Sequence, residues 1–305
     1  MPSKIPVFCI DSYAIIYNIL TNVGYYDPKS PGKVVISPQN TLNALNYSTL
    51  AIKWVHDLGF IGEKYRPKQA IVLWLLDSPP YWRSKIFPEY KGHRGVKHDF
   101  FWQIDANLRS IVPTFAIPSY EADDLAALYA KLWLTKSVSS QIGDLHLCTV
   151  DSDWMGLLSP GVVWLDLGGF APRVRSHEKF YEQWLATKIS KLPKKHRTAV
   201  ESVVCHTDPT SIWRYKQILG DRSDNLPPNC DHTLINLFLP PPAHRLWEQP
   251  SIAKLATNKL RMPQPFDFAA TFETLRQMYL LGYEPPVKVI TQEIMPPVAD
   301  LAISR

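Results

Sequence analysis

The chain has 305 residues, of which 46% are hydrophobic and 20% are charged, a balance that excludes disordered and fibrous proteins. Its length suits one large domain or two ordinary ones. The formal net charge of +5 is small, so it permits an anionic partner without requiring one.

Short apolar runs alternate with amphipathic segments along the first half of the chain. Four runs predict buried strands of a parallel sheet, and two segments predict helices. The strands are Ile5–Ile10, Ala70–Leu76, Leu145–Val150 and Val162–Leu165, and the helices are Leu42–Leu58 and Leu125–Leu134. This alternation predicts an α/β fold with a central, mainly parallel sheet flanked by helices.

Proline-rich segments indicate how the chain is divided. Residues 22–40 are rich in proline and glycine and predict a loop, while residues 171–197 are basic and give weak strand signals. From residue 198 the pattern changes to helices broken by proline clusters. We therefore predict a core of residues 1–197 and a helical subdomain of residues 198–305 that ends in a proline-rich tail.

Three predicted strands run directly into an aspartate, namely Asp11, Asp77 and Asp151. A single aspartate at this position is usually the N-cap of the following helix. In open α/β sheets, however, ligands bind at the carboxyl ends of the strands, where three such side chains can converge. Asp166 follows the fourth strand without a helix behind it, so we expect it in a loop.

Six further acids lie close to these strand ends or in one later turn: Glu121, Asp123, Asp124, Asp153, Asp221 and Asp224. Helix starts and Asx-rich turns also favour acids, which is the structural alternative. If all nine acids share a crevice, each pair 4 Å apart costs about 4 kcal/mol at an effective dielectric constant near 20. Divalent cations relieve this repulsion, and ligand sets made only of oxygen suit Mg²⁺ or Mn²⁺. Two such ions can activate water, so the acids predict metal-dependent phosphodiester hydrolysis.

A basic, aromatic segment follows Asp77 directly. Residues 81–98 contain five Lys or Arg and two His, with Glu89 as their only acid, and four aromatic side chains lie among them. Cations that bind phosphates beside aromatics that stack on bases suit a groove for single-stranded nucleic acid. A solvated basic loop is the alternative.

For a second basic stretch, Lys188–Arg197, we expect a solvated surface, with duplex contact as the alternative.

Several other classes of site are not indicated. No apolar run approaches the roughly 18 residues that span a bilayer, and the N-terminus lacks the apolar segment of a secretory signal. The four cysteines are widely scattered, so we expect free thiols, a reducing intracellular setting and no zinc site. The sequence has no P-loop, dinucleotide-binding or nucleophile-elbow motif.

Five motifs follow one another along residues 5–230. They are Asp11 at the first strand end, Asp77 with Arg83 and Tyr90–Arg94, the helix start Glu121–Asp124, the strand end Thr149–Asp153, and the loop Gly220–Pro227. In this order they resemble the phage and bacterial 5′-nuclease family. That family includes the 5′-3′ exonuclease domain of bacterial DNA polymerase I, flap endonucleases and phage-type ribonuclease H.

The resemblance implies a PIN-like core, a helical arch at about residues 78–100 and a role for each motif. It implies a tighter Mg²⁺ site, with Mn²⁺ as a substitute, built by Asp11, Asp77, Glu121 and Asp123. It implies a second site built or supported by Asp124, Asp151, Asp153, Asp221 and Asp224. Lys91 and Arg94 would act as catalytic residues on the scissile phosphate, and the hydrolysis would leave a 5′-phosphate. Nucleic acid would be bound by Arg83, Lys85, Lys97 and Tyr90, the last by stacking on a base.

The implied substrates are branched, nicked or 5′-ended DNA and RNA–DNA hybrids, handled by a cytoplasmic monomer during replication or repair in a cell or a phage-infected host. A replicative polymerase or a single-strand-binding protein would be the partner. The sequence departs from the family at Pro227–Thr233, where bacterial members have a glycine-rich helix-hairpin-helix that binds duplex and K⁺. A K⁺ site is therefore not supported. Two alternatives remain open, a PIN-like ribonuclease and a non-catalytic nucleic-acid-binding protein derived from a nuclease.

Overall fold

The structure, a computed structural model, describes residues 4–22, 38–81, 84, 88–97, 99–134, 140–167, 173–175, 177–192, 194–201, 204–205, 208–209, 211–212, 215–216, 224 and 302–304. Most of the predicted loop at 22–40 and of the predicted subdomain at 198–305 lies outside this set, and so does the altered hairpin segment. Arg83, Lys85 and Asp221 lie outside it as well.

A single sheet forms the centre of the described structure. Its strands are β1 (Ile5–Asp11), β2 (Gln69–Leu75), β3 (Thr114–Phe115), β4 (Ile142–Thr149), β5 (Val162–Asp166), β6 (Arg173–Arg175) and β7 (Ala302–Ser304). The order is β3-β2-β1-β4-β5-β6, and β7 pairs with β2. Strands β1 to β5 are parallel, whereas β6 and β7 are antiparallel to their partners. The predicted α/β fold with a mainly parallel sheet is therefore confirmed.

The adjacent strands β1 and β2 are mostly buried, because helices cover both faces of a parallel sheet. Residues 7–10 of β1 and 70–75 of β2 are all buried. Ile10 of β1 pairs with Trp74 of β2 on one side and with Cys148 of β4 on the other. This register brings the carboxyl ends of the three strands to one edge of the sheet.

The described residues form six helices around the sheet: α1 (Ser12–Asn22), α2 (Pro38–His56), α3 (Asp99–Ile111), α4 (Ala122–Leu134), α5 (His177–Ser190) and α6 (Lys194–Glu201). Three 3₁₀ turns lie at Gly59–Ile61, Glu63–Tyr65 and Ser152–Leu157. Helices α1, α2 and α3 pack on one face of the sheet through a core that includes Ile16, Ile52, Trp74 and Phe101. In the part of the chain that the structure describes, no helix has the length and apolar character needed to cross a membrane.

Two short strands differ from the sequence-based expectation. Asp166, expected in a loop, is the last residue of β5 and pairs with Arg173 of β6. Strand β6 lies in the segment with weak strand signals; it forms because the edge of β5 offers it backbone partners, which no local pattern encodes. Helix α6 crosses the boundary predicted between residues 197 and 198, and that division of the chain remains a prediction.

Candidate active site

The edge of the sheet where β1, β2 and β4 end collects most of the predicted site acids. Asp11 is the last residue of β1, and Asp77 and Asp151 each lie two residues beyond a strand. The negative charges of Asp77 and Asp151 act on Asp11, and that of Glu121 acts on Asp77. Seven of the nine acids interact in this way, directly or through a shared lysine: Asp11, Asp77, Glu121, Asp123, Asp151, Asp153 and Asp224.

Each of these three aspartates also caps the start of a helix or 3₁₀ turn. Asp11 caps α1, Asp77 caps α4, and Asp151 caps the 3₁₀ turn Ser152–Leu157. Asp11 Oδ1 accepts the N–H of Ala14 at 3.1 Å, Asp77 Oδ1 accepts that of Ala122 at 2.9 Å, and Asp151 Oδ1 accepts that of Asp153 at 2.9 Å. Capping and convergence on one crevice are therefore both true of these side chains. A carboxylate offers about four acceptor positions, so the capping bonds leave capacity for a cation.

Asp124 has a capping role at this edge of the sheet, and its part in building or supporting the second metal site remains a prediction. Its Oδ2 accepts the N–H of Glu121 at 3.0 Å, and the residue is only 3% exposed. An acid at the third helical position that reaches back to the N-cap N–H is one half of a capping box. Asp124 thus fixes the start of α4, and Glu121 with it, from behind the crevice.

Tyr90, which the resemblance predicts to stack on a base, lies against two of the site acids, and its stacking role remains a prediction. The residue is 5% exposed, and its hydroxyl donates to Glu121 Oε2 at 2.8 Å and lies 3.2 Å from Asp224 Oδ2. The ring is therefore enclosed by the site. Its hydroxyl joins the helix start at Glu121 to Asp224, which is distant in sequence.

Lys91 lies on the same two acids. Its Nζ forms an ion pair with Glu121 Oε1 and lies 3.9 Å from Asp224 Oδ1, while its backbone N–H donates to the carbonyl of Asp224 at 2.9 Å. The residue has a φ of 54°, a left-handed conformation that costs a non-glycine residue about 1–2 kcal/mol. Burial alone would lower the pKa of Lys91, but Glu121 and Asp224 more than offset it and raise that pKa, so the ammonium stays charged.

Arg94 closes the turn that begins at Lys91. Its Nη2 lies 2.6 Å from Asp224 Oδ1, and the side chain is 47% exposed, so one side of the guanidinium faces solvent at the mouth of the site. Its backbone N–H donates to the carbonyl of Lys91 at 3.0 Å. Two predicted catalytic cations therefore belong to one tight turn held against the acids.

Lys97 occupies a different position beside the site, on aromatic rings of α1 and α3. Its Nζ lies 3.7 Å from the ring centre of Tyr13, 4.4 Å from that of Phe101 and 5.3 Å from that of Trp102. Burial lowers the pKa of Lys97 to about 8, although the charge of Asp77 opposes the shift. The role of Lys97 in nucleic-acid binding remains a prediction, as do those of Arg83 and Lys85.

The surroundings of the carboxylates disfavour negative charge. Burial raises the pKa of Asp11 to about 6, in spite of the hydrogen bonds from Thr149 and Ala14. Burial also raises the pKa of Asp153 to about 7, with Lys216 opposing the shift and Asp151 adding to it. Burial together with the charge of Asp151 raises the pKa of Asp123 well above its usual range. Crowded, buried oxygen ligands of this kind fit a hard divalent cation such as Mg²⁺ or Mn²⁺.

A sequence profile decides the family. The profile of the 5′-3′ exonuclease, N-terminal resolvase-like domain matches residues 9–190, which is more than half of the chain. The chain belongs to this family. The matched segment contains four of the five motifs, and the loop that carries Asp224 lies beyond it. No curated protein matches the chain significantly in sequence.

Solved structures confirm the family fold. The flap endonuclease of bacteriophage T5, in a pseudo-enzyme-product complex with DNA and metal ions, matches with a TM-score of 0.53 and 17% identity, over 97% of each chain. The T5 5′-exonuclease with bound zinc matches with a TM-score of 0.52 and 17% identity, over 97% of each chain. The resemblance to the 5′-nuclease family and the PIN-like fold are thereby confirmed.

Four residues make contacts with the site acids that were not predicted from the sequence, although Thr149 belongs to one of the predicted motifs. Lys216 Nζ lies 2.5 Å from Asp153 Oδ1, and the indole N–H of Trp154 donates to Asp123 Oδ1 at 2.6 Å. The Thr149 hydroxyl donates to Asp11 Oδ2 at 2.7 Å, and the Tyr81 hydroxyl to Asp77 Oδ2 at 3.2 Å. Thr149 and Trp154 could have been found from their places in and beside the strand-end motif. Lys216 has no local signal, because its partner lies more than 60 residues away.

Proposed function

We propose that this chain is a divalent-metal-dependent 5′-nuclease that hydrolyses phosphodiesters near 5′ ends. One observation carries the proposal: seven acids share one edge of the sheet, and the Lys91–Arg94 turn lies directly on them. The acids can hold cations, and the basic turn can hold the phosphate that those cations act on. Membership of an exonuclease family supports the same reaction class.

We assign the tighter metal site to Asp11, Asp77, Glu121 and Asp123, and the second to Asp151, Asp153, Asp221 and Asp224. The chemistry that Mg²⁺ or Mn²⁺ supplies in such sites is activation of water and neutralisation of charge on the phosphodiester. The protein orients the ligands: Thr149 holds Asp11, Tyr81 holds Asp77, and Trp154 holds Asp123. Asp124 supports the tighter site by fixing the start of α4.

Lys91 and Arg94 would bind the scissile phosphate. Both stay charged at neutral pH. Burial lowers the pKa of each side chain, but nearby acids, including Asp224, raise it by more. The guanidinium of Arg94 can bind two phosphate oxygens at once, whereas the ammonium of Lys91 acts as a point charge. Lys97, Arg83 and Lys85 would extend this basic surface along the bound nucleic-acid strand.

The substrates we propose are 5′-ended, nicked or branched DNA and RNA–DNA hybrids, encountered during replication or repair inside a cell or a phage-infected host. The T5 flap endonuclease structure with DNA supports a DNA substrate. A replicative polymerase or a single-strand-binding protein would present such ends to a monomeric enzyme.

The test is cleavage of 5′-labelled flap, nicked and RNA–DNA hybrid substrates in Mg²⁺ or Mn²⁺, with single-stranded RNA in the same panel. We expect products with a 5′-phosphate, and a rate at least about 100-fold lower for Asp77→Asn, whose amide oxygen can still accept the Ala122 N–H. Asp57→Asn, at an exposed acid after α2, is the matched control and should cleave like the wild type.

Three outcomes would contradict this assignment. Binding without cleavage in either metal would indicate a non-catalytic nucleic-acid-binding protein. Cleavage confined to single-stranded RNA would indicate a PIN-like ribonuclease. Equal rates for the wild type and Asp77→Asn would remove the acids from the reaction.

A further inference from the structure

Two lysines from distant parts of the chain lie inside the acid cluster. Lys216 Nζ is 2.5 Å from Asp153 Oδ1, with the lysine side chain 11% exposed. Lys91 is 10% exposed and lies on Glu121, which is 1% exposed, with Asp224 nearby. Buried ammonium groups at these positions supply positive charge where the carboxylates would otherwise repel one another.

The lysines use the same oxygen atoms that a divalent cation would need. Glu121 belongs to the proposed tighter site, and Asp153 and Asp224 belong to the proposed second site. In the described parts of the chain, no three His, Cys, Asp or Glu side chains are already arranged to hold an ion. Because Lys91 and Lys216 already contact Glu121, Asp224 and Asp153, a cation bound to the same carboxylates would compete with these ammonium groups.

We propose that Lys91 and Lys216 are internal counterions that compete with divalent metal for Glu121, Asp224 and Asp153, so that metal binding releases their ammonium groups to bind substrate phosphate. This inference rests on the proposed function. It assigns Lys216 a contact with substrate phosphate and makes metal binding the step that frees this lysine for nucleic acid.

The competition follows from thermodynamic linkage. If the ammonium group weakens metal binding by some factor, the metal weakens the lysine–carboxylate contact by the same factor. A lysine side chain has four flexible carbons and compact charge, so it can leave one carboxylate and reach a phosphate without movement of the backbone. Arg94 differs from the two lysines, because its side chain is half exposed at the mouth of the site. Metal binding therefore need not release it before it can contact a phosphate.

The first test is calorimetric titration of the full chain with Mn²⁺ alone, without nucleic acid. Lys216→Met removes the charge but keeps most of the side-chain volume. We expect Lys216→Met to bind Mn²⁺ more tightly by on the order of tenfold, and to unfold at a lower temperature than the wild type in chelator. Lys216→Arg keeps the charge and should bind Mn²⁺ like the wild type. Lys53→Met, at an exposed lysine of α2, is the matched control and should change neither property.

The second test needs no variant at these lysines. An amine-acetylating reagent is applied to the wild type with and without Mn²⁺, and the modification of each lysine is measured by mass spectrometry. Lys91 and Lys216 should become several-fold more reactive when Mn²⁺ is bound, while the reactivity of Lys53 should not change. Lys216→Gln provides a second charge-free variant for calorimetry if Lys216→Met fails to fold.

The outcomes separate this inference from the proposed function. If the wild type binds no Mn²⁺, both are overturned. If the wild type binds Mn²⁺ but the charge-free variants bind equally or more weakly, only the competition is overturned. Unchanged reactivity of Lys91 and Lys216 in the presence of bound Mn²⁺ would also overturn the competition alone.

Discussion

Asp11 and Asp153 show how single residues couple the site to the stability of the fold. Both carboxyl groups are buried near other acids, and their folded-state pKa values are about 6 and about 7. An unfolded aspartate has a pKa of about 3.9. Each group therefore destabilises the folded state when it is ionised.

This difference predicts an unusual dependence of stability on pH. Between pH 8 and pH 5 the folded chain takes up protons at Asp11 and Asp153 while the unfolded chain does not, so stability should rise as pH falls through 7 and 6. The measurement is urea unfolding in chelator across that range. Addition of Mg²⁺ should flatten the profile, because a bound cation favours the ionised carboxylates. A metal-free profile that falls steadily from pH 8 to pH 5 would contradict the raised pKa values.

The chemistry of single residues was only partly predictable from the sequence. The strand-end acids follow from local pattern, because a parallel sheet brings strand ends to one edge. The contacts of Tyr90 and Lys216 depend on where distant segments of the chain meet, so no local motif indicates them. The capping bond of Asp124, by contrast, follows from its local position in the first turn of α4.

At the scale of elements, Thr149 joins the ends of two adjacent strands. Its hydroxyl donates to Asp11 at the end of β1 and accepts the N–H of Asp151 at 2.9 Å, and the residue is fully buried. One side chain thus fixes two proposed metal ligands on different strands. The carboxylates inherit their separation from the strand spacing of the sheet.

Replacement of this hydroxyl should be costly. Thr149→Val keeps the side-chain shape but leaves the Asp151 N–H without its partner and removes a donor to Asp11, which should lower the free energy of unfolding by about 1–3 kcal/mol. The measurement is urea unfolding at pH 7. Thr149→Ser retains the hydroxyl and should recover most of the loss. Equal stability of the valine and wild-type proteins would show that water replaces both bonds.

The long strands were predicted within a few residues, and the short ones were missed. Strands β1, β2, β4 and β5 are continuous apolar runs, because both faces of the sheet are covered. Strands β3 and β6 contain two and three residues, too few to show any periodicity. They exist because a neighbouring strand offers backbone partners, which is tertiary information.

At the scale of the whole molecule, the small net charge is an average of two opposed regions. Once the nine predicted site acids are set aside, 19 acids remain against 33 basic residues. Cations bound in the site would cancel much of the remaining negative charge there. The surface that nucleic acid would meet under the proposed function is then far more basic than the composition suggests.

Binding should therefore depend strongly on salt. For a 5′-flap substrate in a fixed concentration of Ca²⁺, used here as a metal that binds without supporting cleavage, the logarithm of affinity should fall linearly with the logarithm of KCl concentration. Arg94→Gln should reduce the slope by about 0.9, the value for one phosphate contact on duplex DNA. Fluorescence anisotropy measures this slope, and Lys53→Gln should leave it unchanged. A slope that Arg94→Gln does not alter would remove Arg94 from the phosphate contacts.

The central position of β1 has a consequence for the chain during its synthesis. Strand β1 is made first, but its partner β4 and the threonine that holds Asp11 come more than 130 residues later, and Asp224 later still. Parallel pairing over such distances cannot form until the whole segment has left the ribosome. A nascent chain therefore carries the first aspartates long before they can act together. If the proposed nuclease function holds, the growing polypeptide should not cleave nucleic acid until the core is complete.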